Sequence, residues 1–157
     1  MMERRRPCIN TTQVEIFMHP AISIIVPIYN AERWLVRCLE SIVNQSFSDF
    51  EAICVNDAST DSSLSILKEY ASQDPRIKIV DLPINRGEGG ARNAGMETAR
   101  GKYMGFVDSD DTVDTDFFEA LYSVAENCSV DMVSAQIKQV DQRGIKFDMP
   151  FHVSVWN

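Results

Sequence analysis

From Ala21 onward the chain alternates short β-branched apolar runs with stretches whose apolar residues return every three or four positions. Ile22, Ile24, Ile25 and Val26 form the first run, which predicts a buried strand stopped at Pro27. Trp34, Leu35, Cys38, Leu39 and Ile42 then share one helical face, predicting an amphipathic helix over about residues 31–44. A second strand over 51–55 ends at Asn56-Asp57. A helix over 61–71 follows, with Leu64, Leu67 and Ala71 on one side and Asp61 and Ser62 as caps. Residues 76–80 read as a third, shorter strand. The loop Asn85-Arg86-Gly87-Glu88-Gly89-Gly90 feeds a small-residue helix over 91–99 that can pack closely on a sheet. A fourth strand, 102–107, runs straight into Asp108-Ser109-Asp110-Asp111. Phe117, Phe118, Leu121, Tyr122 and Ala125 mark one more helix. Residues 130–137 are strand-like, and Gln142-Arg143-Gly144 is placed to turn a hairpin into 145–151. Residues 1–20 show no clear period and read as an N-terminal arm.

Strands alternating with helices predict βαβ units: an α/β domain over 21–157 with a mostly parallel sheet flanked by helices. Such sheets bind ligands outside the carboxyl ends of their strands. Here the first, second and fourth strands end in Tyr29-Asn30, Asn56-Asp57 and Asp108-Ser109-Asp110. Three strands therefore deliver polar or acidic groups to one edge.

Composition narrows the partners. A length of 157 residues suits one domain with a sizeable core. The net charge of −8, from 23 acidic and 15 basic residues, lacks the basic footprint of a nucleic-acid binder. An anionic ligand remains compatible, because a bound divalent cation inverts the local sign. Four scattered cysteines show no zinc spacing and read as reduced thiols, which favours a reducing compartment. No signal-peptide core follows the basic start, and no apolar run is long enough to span a bilayer.

Asp108 and Asp110 stand two apart, so an extended backbone points both to one side. Two hard oxygen donors suit Mg²⁺ or Mn²⁺, which takes one or two carboxylates plus substrate phosphates. The other reading is a turn whose aspartates cap the next helix, a job for which Asp111, Thr112 and Asp114 are also suited. Asp57 is either a turn residue or an acceptor for a base N–H. Glu32, in the first helical turn, is favourable there through the helix dipole alone. Gly87-x-Gly89 starts a dinucleotide fingerprint, but Arg92 occupies the third glycine position. No phosphate-loop motif and no nucleophile elbow is present. Arg86 and Arg92 can pair either with a phosphate or with the acidic cluster itself. His19 and His152 have no partners at metal spacing.

Taken in order, these pieces resemble the inverting family 2 glycosyltransferases of GT-A (Rossmann-like) fold. Ser23-Ile-Ile-Val-Pro27-Ile-Tyr29-Asn30-Ala-Glu32 is similar to the family's opening strand, and Ser41 to Glu51 continues it. Val55-Asn56-Asp57-Ala-Ser59-Thr60-Asp61 is similar to V-D-D-G-S-x-D, with Asn56 where aspartate is common. Asn85-Arg86-Gly87 through Ala91-Arg92-Asn93-Ala94-Gly95, Gly101-Lys102-Tyr103 and the D-x-D segment Phe106 to Asp111 complete the series. The resemblance implies a nucleotide diphosphate sugar donor, most often UDP-linked, and a saccharide or lipid-linked acceptor in polysaccharide or glycoconjugate assembly. It implies that Pro27, Tyr29 and Asp57 line the base pocket, and that Glu32, Arg86, Asp108 and Ser109 belong to the donor site. Asp110 is then the main metal ligand, with Asp108 beside it. The family's general base lies in a later acidic motif that nothing after Asp111 matches. Asp131, Asp141 and Asp148 are available, but none is marked as the base. The expectation is therefore a GT-A domain incomplete at its C-terminus, working on the cytoplasmic side and peripheral to the membrane. An exposed apolar surface at 153–156 is expected to promote association.

Overall fold

The computed structural model describes residues 19–135, together with the strand backbones at 139–140, 146–147 and 154–156. Strand β1 (Ile22–Ile28), helix α1 (Glu32–Val43), β2 (Phe50–Asn56), α2 (Ser63–Gln73) and β3 (Ile77–Asp81) follow one another as two βαβ units. Helix α3 (Gly87–Thr98), β4 (Tyr103–Phe106) and α4 (Phe117–Cys128) come next. The first four strands form one sheet in the order β3-β2-β1-β4, and every pairing is parallel. The α/β fold with a parallel sheet flanked by helices is the architecture that the alternating pattern predicts.

Each face of the sheet is packed by a different set of helices. Ile24, Val26 and Ile28 point toward α1, α2 and α4, where Leu35, Leu39, Ile42, Leu67 and Phe118 close the larger core. Fully burying one such leucine contributes about 1.5–3 kcal/mol. On the other face Ile53 and Val55 meet Ala91 and Ala94 of α3. This helix rides very close. A Cβ on Gly95 would lie 2.5 Å from Ile25 Cγ2 and 3.3 Å from Val55 Cγ2, so the small-residue run is what permits the approach.

Two boundaries differ from the sequence expectation for identifiable reasons. Strand β1 does not stop at Pro27 but continues through Ile28, paired with β2 to the end. In a parallel ladder successive residues address opposite neighbours. Ile25 faces β4, accepting the Val107 N–H at 3.1 Å, and Ile28 faces β2, accepting the Asp57 N–H at 2.8 Å. Pro27 therefore turns its missing N–H toward β4, just past the end of that ladder, where no bond is lost.

Helix α3 starts at Gly87 rather than at residue 91. Its entry is capped from outside: Asp57 Oδ1 accepts the Arg86 N–H at 2.7 Å, and Asn85 Oδ1 accepts the Gly87 N–H at 3.0 Å. Gly87 supplies the left-handed turn, at φ 73°. External caps offset the poor helix propensity of Gly89 and Gly90.

At the far end, β5 (Met132–Ser134) pairs antiparallel with β8 (Ser154–Trp156), and β6 (Gln139–Val140) pairs antiparallel with β7 (Lys146–Phe147). The β6–β7 pairing agrees with a hairpin, whose turn at 142–144 lies outside the described residues, as do the arm at 1–18 and the side chains at 153–156. The strand expected over 130–137 is described as β5, whose partner is β8 and not the segment 145–151. Among the described residues no helix is long and apolar enough to cross a membrane.

Candidate functional site

The sheet order reverses direction at β1, which places a crevice between the carboxyl ends of β1 and β4. A cleft of about 480 Å³ opens there. Pro27, Ile28 and Tyr29 line it from β1, Asp57 from the end of β2, and Asp108, Ser109 and Asp110 from beyond β4. Asn85, Gly87, Glu88 and Ala91 complete the wall at the start of α3. The three strand ends singled out in the sequence thus meet around one space.

Asp57 is only 2% exposed, a costly position for a carboxylate without partners. Its Oδ1 accepts the Arg86 amide, and its carbonyl accepts Asn85 Nδ2 at 3.2 Å. Asp57 is thus both the cap of α3 and a wall of the cleft. Tyr29 stands at the mouth with 53% of its surface exposed. The neighbouring Asn56 faces away from the cleft: its Nδ2 donates to Asp81 Oδ1 at 2.7 Å and its Oδ1 accepts the Ser59 N–H at 3.3 Å. An amide at this position answers the Asp81 carboxylate, which a second aspartate would repel. The departure from V-D-D at Asn56 therefore leaves the lining of the cleft unchanged. Ala58, at the glycine position of that motif, is held at φ 56°.

Asp108 follows the last ladder bond of β4. Its carbonyl accepts the Asp111 N–H at 3.0 Å and the Cys38 thiol at 3.5 Å, while its Oδ1 takes Arg92 Nη2 at 2.7 Å. Burial pushes the Cys38 thiol up to about 12, helped by Asp111, Asp110 and Asp108, so this cysteine is a proton donor and not a nucleophile. Burial, with Asp110 and Asp108 beside it, likewise raises the Asp111 carboxyl above its ordinary value. Among the described residues no three His, Cys, Asp or Glu side chains gather to hold a metal alone. The donor set of Asp108 and Asp110 fits a hard cation that takes its remaining ligands from phosphates and water.

Two predicted donor residues sit elsewhere. Glu32 does not line the cleft: its Oε2 accepts the Ser62 N–H at 2.9 Å, while Asp61 Oδ2 accepts the Glu32 N–H at 3.0 Å. Two carboxylates thus cross-cap the N-termini of α1 and α2, where the helix dipoles favour them. Asp61 caps α2 as expected, its Oδ1 taking the Ser63 N–H at 2.9 Å, whereas the Ser62 side chain makes no cap bond. Arg86 reaches the site through its backbone amide only, and its exposed side chain is not part of the wall. Asp131 lines a separate hollow of about 130 Å³ between β4, α4 and β5. Asp141 and Asp148 fall outside the described residues. Glu88 is the cleft acid that sequence reasoning passed over. With the helix expected from residue 91, its i,i+4 relation to Arg92 was invisible.

Comparison with known proteins follows the same lines. The family model for glycosyl transferase family 2 matches residues 23–151. The chain is 44% identical over 116 residues to EpsJ, an uncharacterized glycosyltransferase of Bacillus subtilis, covering 74% of this chain and 33% of EpsJ. It is 37% identical over 131 residues to the poly(ribitol-phosphate) beta-glucosyltransferase of Bacillus spizizenii, covering 82% of this chain and 21% of that enzyme. Among solved structures, S. aureus TarS 1-349 in complex with UDP superposes with a TM-score of 0.67 at 33% identity, over 70% of this chain and 33% of TarS. The mannosyltransferase PcManGT of Pyrobaculum calidifontis, in complex with GDP-Man and Mn²⁺, shares the fold with a TM-score of 0.64 at 23% identity. The chain thus spans at most about a third of the relatives cited from Bacillus. Its ordered motifs, its GT-A sheet and these matches agree that the chain belongs to glycosyl transferase family 2.

Proposed function

We propose that this chain carries the donor site of a glycosyltransferase that moves a sugar from a nucleoside diphosphate, with uridine as the base, to an acceptor hydroxyl. The observation that supports it most is the convergence of Tyr29, Asp57, Asp108 and Asp110 from three adjacent strand ends on one cleft at the sheet's switch point. Asp57 has one oxygen committed to the Arg86 amide, and its second oxygen is the acceptor for a base N–H. Pro27 and Tyr29 flank that position and give the base an apolar wall. The acidic end of the cleft is then where the diphosphate sits, with Asp110 and Asp108 holding Mg²⁺ or Mn²⁺. That ion would neutralise the diphosphate and make it a better leaving group. TarS and PcManGT, whose structures hold UDP and GDP-Man, support a nucleotide donor for this chain as well. The acceptor is a saccharide or a lipid-linked saccharide, by analogy with polymer-building relatives such as the poly(ribitol-phosphate) enzyme.

A second reading is a nucleotide-sugar-binding module without turnover. An inverting transfer needs a base within reach of the acceptor hydroxyl. Among the described residues the acids lining the cleft are Asp57, Glu88, Asp108 and Asp110, and in this proposal each serves the donor or pairs with Arg92. A panel of UDP, GDP and ADP titrated calorimetrically with Mn²⁺ tests the proposal, followed by a UDP-sugar turnover assay. We expect UDP to bind best and Asp110→Ala to lose the metal-dependent part. UDP binding without any turnover selects the second reading, and equal or absent binding of all three nucleotides refutes both.

A further inference from the structure

We propose that Arg92 is the positioning residue of the acidic site, aiming one oxygen of Asp108 into the cleft by holding the other. The inference rests on the donor-site reading above and assigns a role that the motif itself does not state. A single nitrogen, Arg92 Nη2, lies 2.7 Å from Asp108 Oδ1 and 2.7 Å from Glu88 Oε1. These two acids belong to opposite walls of the cleft, one beyond β4 and one in the first turn of α3. The guanidinium therefore straps the walls together.

The strap matters because the sheet does not orient Asp108. The last ladder bond on this side is Val107 N–H to the Ile25 carbonyl, so Asp108 is the first residue past the sheet. Its main chain is fixed by Asp111 and Cys38, but its carboxylate is fixed by Arg92 alone among the described contacts. With Oδ1 engaged, Oδ2 is the oxygen left for a cation. The guanidinium also carries an unmet cost. Among the described residues Arg92 Nε is buried without a protein acceptor, and the guanidinium carbon lies 5.8 Å from the Phe106 ring centroid. A half-exposed ion pair contributes little to stability and does not by itself explain a buried orphan donor. An arrangement kept for geometry does. Outer residues that orient metal ligands act in this way.

The test is calorimetric titration of UDP, with and without Mn²⁺, into the wild-type chain, Arg92→Met and Arg92→Lys, each first checked by thermal melting without ligand. Positioning predicts that Arg92→Met lowers the Mn²⁺-dependent gain in UDP affinity by about tenfold or more. The metal-free UDP affinity stays within about twofold, because Arg92 does not touch the nucleotide in this account. Arg92→Lys keeps a point charge without the fork and recovers part of the gain. If Arg92→Met fails to fold, the lysine variant decides, with an intermediate gain expected. A full Mn²⁺-dependent gain in either variant overturns the inference. Equal losses with and without metal also overturn it, since they mark a direct phosphate contact. A wild-type chain that binds no UDP with Mn²⁺ refutes the donor-site reading, and this inference falls with it.

Discussion

Gly101→Ala probes how the strand that leads into the acidic motif is anchored at its start. Gly101 precedes β4, and its amide donates to Ser23 Oγ at 2.8 Å while the Arg100 amide reaches the same oxygen at 3.2 Å. Ser23 is fully buried and its hydroxyl donates to Glu51 Oε1 at 2.7 Å, which also accepts the Arg100 amide at 2.9 Å. A Cβ on Gly101 would stand 2.5 Å from Ser23 N, 2.7 Å from the Ile22 carbonyl carbon and 2.8 Å from Ser23 Oγ. The first two are main-chain atoms at the start of a central strand, so they cannot give. Ordinary contact begins at 3.4 Å, which forces the loop to retreat by about 1 Å. That retreat breaks the Gly101–Ser23 bond and strains the two Arg100 bonds. Overpacking costs about 1–3 kcal/mol, and a buried hydroxyl and amide left short of partners add about 1–2 kcal/mol. The sum, about 2–5 kcal/mol, lowers the melting temperature of a domain this size by about 5–15 °C. Thermal unfolding followed by far-UV circular dichroism measures it. A melting temperature within about 2 °C of wild type would refute the reasoning.

Three further variants test other parts of the account. Asn56→Asp sets a carboxylate against Asp81 and costs about 2 kcal/mol or more at pH 7; adding Asp81→Asn restores the midpoint of urea unfolding, and a neutral single variant would contradict the pairing. Ala58→Gly relieves a left-handed alanine and, net of the extra unfolded-state entropy, stabilises by about 0.5–1 kcal/mol in the same assay. Asp74 is held below the ordinary carboxylate range first by hydrogen bonds from the Arg76 guanidinium, despite some opposing desolvation. Because its folded value is depressed, its contribution is complete above about pH 4 and is lost as pH falls through the folded value. Asp74→Asn is therefore less stable than wild type at pH 7 by about 1–2 kcal/mol, and the gap closes on acidification below about pH 4. A gap that stays constant down to pH 2 would sink that assignment.

Much of the fold is legible in the sequence because burial in a parallel sheet leaves a local trace. Ile22 to Val26 and Glu51 to Val55 are nearly continuous apolar runs. Of the predicted α1 stripe the structure buries Leu35, Cys38, Leu39 and Ile42 but leaves Trp34 exposed under the Arg33 and Arg37 guanidinium groups. What escapes is fixed by partners distant along the chain. Pro27 reads as a stop until the ladder shows that its vacant side faces the end of β4. Gly87 to Gly90 reads as loop until Asp57 is seen to cap it from about 30 residues away. The same applies to the site. That Asp57, Asp108 and Asp110 come to one cleft is legible because each stands just past a strand end of one parallel sheet. Glu32 misleads because a first-turn acid looks the same whether it faces a ligand or, as here, the amide of a second helix. Arg92 leaves both its options open in the sequence, and only the packing of α3 across β1 and β2 brings it within reach of the acidic partner.

The most direct test of the central claim is a crystal structure of this chain soaked with UDP and Mn²⁺. The account predicts the uracil ring between Tyr29 and Asp57, with the Asp57 carboxylate accepting its N–H. It also predicts Mn²⁺ on Asp110 and Asp108 against the diphosphate. Nucleotide bound away from the strand ends, or a metal that leaves both aspartates untouched, would contradict it.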